Sequence, residues 1–419
     1  MIQRHLEPII LDSLESFPAV LITGARQVGK STLVQSLCKK KWKAHYLTLD
    51  DRNLLDAALT DPDGLIASYD GSVAIDEIQR APDLLRAIKL TIDRNRKPGR
   101  FLLTGSANVL TLKSVSETLA GRIALSELYP FSFAEFSRKS KPSGVLKAIF
   151  QSKHAEDLVN YFKKSKQANE SLAFRILAGG YPEPALSKKP ALRTRWFGSY
   201  RKTYIERDIQ EVSAIERLPD FNRLMTLAAA RTGQVLNFSE LGRDLGLPYI
   251  TLRRYMSILE QTYQVFLVPP FFVNISKRLM KAPKLYWTDT GLASYLLDIH
   301  DTSQLQRNPK LGAIFETWVA SELKKLISLE PEPMNLYGWR TQTGQEVDFL
   351  IEKGGRFLAI EVKWGQHVDK SIFNSFKTLK DSLGGNLVLG LVLYGGKEIT
   401  PLGDKLLAVP HEFFFGGVK

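Results

Sequence analysis

Cysteine is nearly absent. Cys38 stands alone, so no internal disulfide framework can form, and the chain fits a reducing compartment, with the cytoplasm as its expected location. Histidine is also scarce: His5, His45, His154, His300, His367 and His411 are scattered without the spacing of zinc ligands. No apolar run approaches the ~20 residues of a helical membrane span, and no charged-then-apolar stretch opens the chain. Neither a membrane partner nor a secretory leader is therefore expected. Internal repeats and low-complexity tracts are missing too. Acid is the minority charge, with 44 Asp and Glu against 57 Lys and Arg, a formal net charge of +13. Such an excess favours a polyanionic partner, nucleic acid ahead of membrane headgroups, although solvated lysines produce the same balance in many proteins.

What is present begins with size. At 419 residues and 44% hydrophobic content, the chain can bury several cores. The most informative stretch is Gly24-Ala25-Arg26-Gln27-Val28-Gly29-Lys30-Ser31, which fits the phosphate-binding pattern G-x-x-x-x-G-K-[ST]. The apolar run Ala19–Ile22 before it reads as a buried strand, and the segment from Thr32 reads as a helix start. The glycines let backbone N–H groups and the helix N-terminus approach a polyphosphate. Lys30 is assigned to the β- and γ-phosphates, and Ser31 to Mg²⁺. Residues Gly24 to Thr32 are thus the candidate ATP-binding segment.

A second segment supplies the chemistry of hydrolysis. Val73-Ala74-Ile75-Asp76-Glu77 is an apolar strand ending in two acids. Asp76 is the candidate Mg²⁺ partner, and Glu77 the carboxylate that orients and polarises the attacking water. His45–Asp50, Phe101–Ser106 and Ile123–Leu125 read as further strands of a parallel sheet, with a helix from Pro82 to Lys89. Thr104 and Ser106, at the end of one strand, are candidate γ-phosphate sensors; ordinary strand-end capping accounts for them equally well. Arg122 is a candidate arginine finger or sensor, with a plain surface charge as the alternative.

Gly24–Thr32, Val73–Gln79, Leu103–Ser106 and Leu119–Arg122 together resemble the AAA+-type ATPases of a large prokaryotic family. Its members carry a C-terminal domain with a restriction-endonuclease-like fold. Gly179-Gly180-Tyr181-Pro182-Glu183 and Tyr204-Ile205-Glu206-Arg207-Asp208 fit the same family. The resemblance covers nearly the whole chain. It implies an α/β architecture: a P-loop NTPase core with a parallel sheet, a helical lid, a winged helix-turn-helix and a restriction-endonuclease-like α/β domain. The expected boundaries are 1–137, 138–220, 221–300 and 301–419. Within 138–169 basic residues dominate, which reads as a solvated connector face or, alternatively, a nucleic-acid contact. Arg207 either reaches a nucleotide across a lid or subunit boundary or pairs with Glu211 one helical turn away.

From 221 to 290 the pattern is helix-turn-helix. A helix around Phe221–Ala230 is followed by one capped by Ser239, a turn at Leu247-Pro248, and a helix over Tyr249–Gln261. Ile250, Leu252, Tyr255, Met256 and Leu259 form its expected apolar stripe. Val265–Val268 and Lys284–Trp287 are candidate wing strands. Thr251, Arg253 and Arg254 are the candidate DNA contacts, reading bases or only gripping phosphates, with packing against protein as the competing use.

Near the end, Gly354-Gly355 suits a two-residue hairpin turn. That register sets Asp348 opposite Glu361 and Glu346 opposite Lys363, with Val347, Phe349, Ile351, Leu358, Ile360 and Val362 on the other face. Like charges directly across a ladder repel, and a divalent cation between them resolves the conflict. Asp348…Glu361-Val362-Lys363 matches the D…(D/E)-x-K pattern of restriction-endonuclease-like folds, with Glu316 as an additional acid. The expectation is a second Mg²⁺ or Mn²⁺ at Glu316, Asp348 and Glu361, assisted by Lys363, with or without phosphodiester cleavage. Three readings follow: an ATPase acting on DNA, an ATP-controlled switch of conformation or homo-oligomer state with a non-catalytic nuclease-like scaffold, and a protein-remodelling ATPase. The first accounts best for the charge.

Overall fold

The computed structural model describes residues 2–105, 118–138, 141–142, 144–152, 155–163, 171–205, 217–369, 371–403 and 405–416. Strands β1 (Ala19–Thr23), β2 (His45–Thr48), β3 (Val73–Asp76), β4 (Phe101–Thr104) and β5 (Ile123–Glu127) form a five-stranded sheet in the order β2-β3-β4-β1-β5. Every neighbouring pair is parallel. Alternation along β1 explains why the sheet is covered on both sides. Val20 and Ile22 enter one core with Val28, Leu33 and Leu37, while Ala19 and Leu21 enter another with Leu85, Ile88 and Ile92.

The segment expected as a lid is helical over Leu172–Ala178, Pro182–Leu186 and Pro190–Tyr200, interrupted at 179–181. Next come the helices Leu218–Ala230, Phe238–Leu245 and Tyr249–Gln261. They lie with a three-stranded antiparallel sheet of β6 (Gln234–Val235), β8 (Lys284–Trp287) and β7 (Val265–Val268). Two details depart from the sequence reading. The cap of the middle helix is Asn237, whose side chain accepts the N–H groups of Ser239 and Glu240, so Ser239 lies inside the helix. Ile250 leaves the apolar stripe and is 80% exposed, whereas Leu252, Tyr255, Met256 and Leu259 are buried.

The C-terminal region is built on a six-stranded mixed sheet. Its order is β13 (Thr400–Gly403), β14 (Leu406–Pro410), β12 (Leu387–Tyr394), β11 (Arg356–Lys363), β10 (Glu346–Lys353) and β9 (Asn335–Arg340). The hairpin turns at Gly354 and Gly355, both at positive φ (56° and 75°), where glycine carries no steric cost. The ladder runs from Phe349 opposite Ile360 to Lys353 opposite Arg356, the register the turn predicts. One apolar residue changes sides. Pairing with β9 shifts between Val347 and Leu350, and Val347 joins Leu350, Phe357 and Ala359 under the Ser371–Leu383 helix.

The basic segment 138–169 also departs from a solvated connector where it is described. Its helices Val145–Gln151 and Ala155–Lys163 bury Val145, Leu146, Ile149, Phe150, Leu158 and Phe162 against Leu358, Ile360 and Phe414. Arg356 fixes the join by donating to the carbonyl of Phe150 at 2.8 Å. Among the described residues, no helix is long and apolar enough to cross a membrane.

Candidate nucleotide site and C-terminal acid cluster

The phosphate loop follows β1 directly. Gly24 takes φ +142°, and a Cβ there would sit 2.2 Å from the carbonyl oxygen of Leu128, so the residue type is dictated by backbone proximity. Gly29 caps the Lys30–Lys40 helix from a left-handed conformation. Lys30 is buried, and its ammonium donates to the carbonyl oxygens of Gly24 and Ala25, both at 2.9 Å. The loop is anchored from outside by Arg4. Its guanidinium donates to the Val28 carbonyl at 2.7 Å, to Glu135 at 3.1 Å and to the Tyr129 carbonyl. Burial alone would raise the Glu135 carboxyl, but Arg4, His5 and the backbone N–H groups of His5 and Ser132 hold it below the usual carboxylate range.

Asp76 and Glu77 stand at the end of β3, beside the strand that leads to the loop's neighbour β4. One Asp76 oxygen accepts the Tyr46 hydroxyl at 2.8 Å, and the other accepts the hydroxyl of Thr104. The same Thr104 oxygen accepts the Glu77 N–H at 3.1 Å. Glu77 adopts φ 63°, a left-handed conformation uncommon outside glycine and typical of functional positions, and its carboxylate accepts the side-chain amide of Gln79. Burial and the Asp76 carboxylate push the Tyr46 phenol well up, so it stays a donor. Lys30, Ser31, Thr32, Glu77, Arg26 and Glu183 all line one polar cleft of about 950 Å³.

A second, more apolar cavity of about 440 Å³ opens on the other side of the loop, lined by Ile2, Arg4, Val28, Leu33, Phe131 and Leu186 among others. Gly29, Thr32, Pro182 and Leu186 line both cavities, so the two meet across the loop. Sequence reading missed these walls; Gly179–Glu183 stood out as a segment that fits the resembled family, without a place in the site. The Pro182–Leu186 helix is held over the loop by stacked rings. Trp196 and Tyr200 lie 4.9 Å apart at 9°, Trp196 donates to Glu183 at 2.8 Å, and the Tyr200 hydroxyl donates to the Arg26 carbonyl at 3.3 Å. Gly180 donates its N–H to the buried Asp289 at 2.6 Å, which ties this segment to the cap of the Thr290–Leu296 helix.

Other candidates are placed elsewhere. Ser106, Arg207, Glu211 and the expected helix start Lys370 lie outside the described residues. Arg122 precedes β5, whose Ile123 pairs with Ala19 while Glu127 pairs with Thr23, so it sits at the strand end opposite the loop. There it donates to Asp93 at 2.6 Å. As a finger or sensor for nucleotide held by its own chain, Arg122 is corrected to a partner of Asp93. Arg253 and Arg254 are exposed and Thr251 half-buried on the Tyr249–Gln261 helix, with the Arg253 guanidinium 5.7 Å from the Tyr249 ring centre. Just beyond that helix, the Tyr263 hydroxyl donates to Thr23 at 2.9 Å, the last residue before the phosphate loop.

The C-terminal acids do converge, with an unexpected member. Asp348 accepts the Val362 N–H at 2.8 Å, and Glu361 accepts the Asp348 N–H at 3.4 Å. Lys363 pairs with Glu361 at 2.8 Å. The Lys284 ammonium, from β8, stands 2.5 Å from Glu346, 3.1 Å from Glu316 and 3.9 Å from Asp348. Tyr286, two residues along the same strand, donates to Glu316 at 2.5 Å. Burial and the Glu316 charge push Asp348 up to about 7, and burial with the Asp348 charge pushes Glu361 up to about 7. Burial works against the Lys284 charge, but Glu316, Asp348 and Glu346 outweigh it and hold the ammonium above its ordinary range. The second-metal expectation therefore does not fit this arrangement. Cationic side chains contact Glu316, Glu346 and Glu361 directly, and among the described residues no three His, Cys, Asp or Glu are disposed to share a metal ion.

Residues 16–137 match the AAA domain, 169–303 a domain of unknown function (DUF8612) and 311–414 a second (DUF4143). The uncharacterized protein Rv2008c of Mycobacterium tuberculosis is 34% identical over 402 residues, covering 96% of this chain and 81% of that protein. The chain belongs to the family of that mycobacterial protein. Within this family member, residues 16–137 form an AAA-type ATPase domain. The uncharacterized protein MJ1544 of Methanocaldococcus jannaschii is similar at 24% identity, covering 92% of this chain and 84% of its own. Among solved structures, the Walker-type ATPase PABY2304 of Pyrococcus abyssi aligns with 71% of this chain and 96% of its own, at 15% identity and a TM-score of 0.41.

Proposed function

We propose that the protein hydrolyses ATP with Mg²⁺ and couples hydrolysis to DNA. In this reading, Gly24 to Thr32 surround the phosphates, and Lys30 exchanges its two carbonyl partners for phosphate oxygens. The apolar cavity beyond Gly29 takes the base. Ser31 and Asp76 would hold Mg²⁺, which offsets phosphate charge; each Asp76 oxygen accepts one hydroxyl and keeps a second lone pair. Glu77 orients the attacking water. The observation that carries the hydrolytic reading is the shared bonding of Thr104 to Asp76 and to the Glu77 N–H, which fixes both acids relative to each other. Ser106, two residues after Thr104 in the sequence, remains a candidate phosphate sensor. A homo-oligomer would give Arg122 or Arg207 a neighbouring nucleotide to reach.

The DNA part of the proposal rests on the Tyr249–Gln261 helix and the charge it carries. Thr251, Arg253 and Arg254 are the proposed contacts. The Tyr263–Thr23 hydrogen bond supports coupling, because it joins the end of that helix to the root of the phosphate loop. No cleavage step is drawn through Asp348, Glu361 and Lys363. The contacts of Lys284 with Glu316, Glu346 and Asp348 favour, as second reading, an ATP-controlled switch whose C-terminal region is a scaffold.

The test is steady-state ATP hydrolysis with and without duplex, single-stranded and branched DNA, with Glu77→Gln as the blank. Stimulation that weakens as salt rises is the expected result, since phosphate contacts release counterions. Real turnover indifferent to every DNA form, together with a nucleotide-dependent change in oligomeric state, would replace the DNA reading by the switch.

A further inference from the structure

We propose that Lys284 is the resident cation of the C-terminal acid cluster, so that the cluster joins β8 to the C-terminal sheet by ion pairs and excludes a divalent metal. The ammonium reaches carboxylates from two separate elements, Glu316 on the Leu311–Ser328 helix and Glu346 on β10. It is only 14% exposed, so its charge is held among these carboxylates rather than in solvent. Tyr286 holds the same Glu316 oxygen from the same strand, which gives β8 two points of attachment.

The location explains how like charges coexist here. Asp348 and Glu361 lie close together just beyond the last ladder pair, Phe349 with Ile360, a repulsive arrangement unless something positive or donating intervenes. Strand N–H groups and two ammonium groups intervene: Val362 N–H and Lys284 on the Asp348 side, and Asp348 N–H and Lys363 on the Glu361 side. A small divalent ion bound by these oxygens would need them at ~2.1 Å. It would then lie beside the Lys284 ammonium and be repelled by it. Lysine and metal are alternatives, and in this arrangement the lysine is installed.

The test is Mn²⁺ binding to the full chain without nucleotide, followed by electron paramagnetic resonance. An Asp76→Asn background silences the ATP site. The parent should show no Mn²⁺ that depends on Asp348. Lys284→Met keeps the length of the side chain and removes its charge; it should gain one Mn²⁺ per chain, bound at least about tenfold more tightly than in the parent. That gain should vanish when Asp348→Asn is added, and Mn²⁺ should raise the Tm of the single variant but not of the double. Asp348-dependent Mn²⁺ in the parent, as tight as in the variant, would overturn the proposal. So would a folded Lys284→Met chain that gains no ion. Should Lys284→Met fail to fold, the parent measured against Asp348→Asn alone still decides the matter: Asp348-dependent Mn²⁺ refutes it, and indifference to Asp348 upholds it.

Discussion

The molecule holds two acid sites at strand ends, and they are stabilised in opposite ways. At the first, Asp76 accepts hydroxyls from Tyr46 and Thr104, while the nearby Lys30 is bonded to backbone carbonyls. At the second, Glu316 and Glu346 are bonded to Lys284, and Glu361 to Lys363. Neutral donors orient a carboxylate without cancelling its charge, so the first site keeps its appetite for a cation. Direct ammonium contacts satisfy the charge within the protein, so the second site is a joint. The difference separates a site prepared for a ligand from a site already closed, although both show the same residue types in sequence.

The largest effect that sharpens this contrast belongs to Glu77. Removing the charge while keeping the shape, as in Glu77→Gln, should lower ATP turnover by about 10²–10⁴-fold, the usual reach of a general base. ATP binding, followed by filter retention of labelled nucleotide, should persist. Turnover near the parent rate would remove Glu77 from the chemistry. Next comes Lys284. Its loss leaves buried acids uncompensated, so Lys284→Met should cost about 3 kcal/mol in denaturant unfolding without metal, the lower end for breaking a buried pair. The exposed Arg80–Asp50 pair supplies the control, because Arg80→Met should change stability by less than about 1 kcal/mol. Equal losses in the two variants would mean that Lys284 is no joint.

How much of this was legible in sequence depends on the distance over which each feature is encoded. The phosphate loop, the Asp76-Glu77 strand end and the Gly354-Gly355 hairpin are local patterns, since strand, turn and helix follow within a few residues. Their registers were readable for that reason. Arg4, Tyr46, Tyr263 and Lys284 act across long separations: Arg4 meets Glu135, Tyr46 meets Asp76, Tyr263 meets Thr23, and Lys284 meets Glu316. Nothing in the neighbours of Lys284 says that β8 will face the C-terminal acids; only the packing of two sheets does. Periodicity misjudged Ile250 because a helical stripe does not show where the covering surface stops. The β10 register shift moved Val347 because an irregularity in pairing with β9 has no counterpart in alternation alone.

A smaller effect contrasts a buried charge that has ionic partners with a buried group whose partner is a backbone carbonyl. His411 is enclosed by the rings of Phe133, Phe315 and Trp318, with the Tyr394 carbonyl 3.4 Å from Nδ1. Burial pulls its pKa from the ordinary 6.5 down to about 4, with the Tyr394 carbonyl acting weakly in the other direction. Between those values the unfolded chain binds the proton more readily than the folded one. The His411 contribution is therefore complete above pH 6.5 and is lost as pH falls through the window toward 4. Going from pH 8 to pH 5 should cost the parent about 2 kcal/mol from this group. His411→Gln should lack that component, so urea unfolding of the two proteins should differ by about 2 kcal/mol less at pH 5 than at pH 8. Parallel pH profiles would show that the ring cage admits the imidazolium.

The smallest effect tests whether hydroxyl partners prepare Asp76 or merely accompany it. Tyr46→Phe removes one donor and leaves Thr104 in place. A single hydrogen bond to a charged acceptor contributes about 1.5 kcal/mol, so the effect should stay near tenfold. It should fall on the Mg²⁺ concentration that half-saturates ATP hydrolysis, with kcat at saturating Mg²⁺ changed much less. That split follows from a positioning role: Asp76 loses orientation but keeps its charge, and excess cation compensates. If kcat fell while the Mg²⁺ dependence stayed fixed, Tyr46 would act on the reacting groups instead. If neither moved, Thr104 alone would suffice to orient the acid, and the contrast with Lys284 would rest on one hydroxyl rather than two.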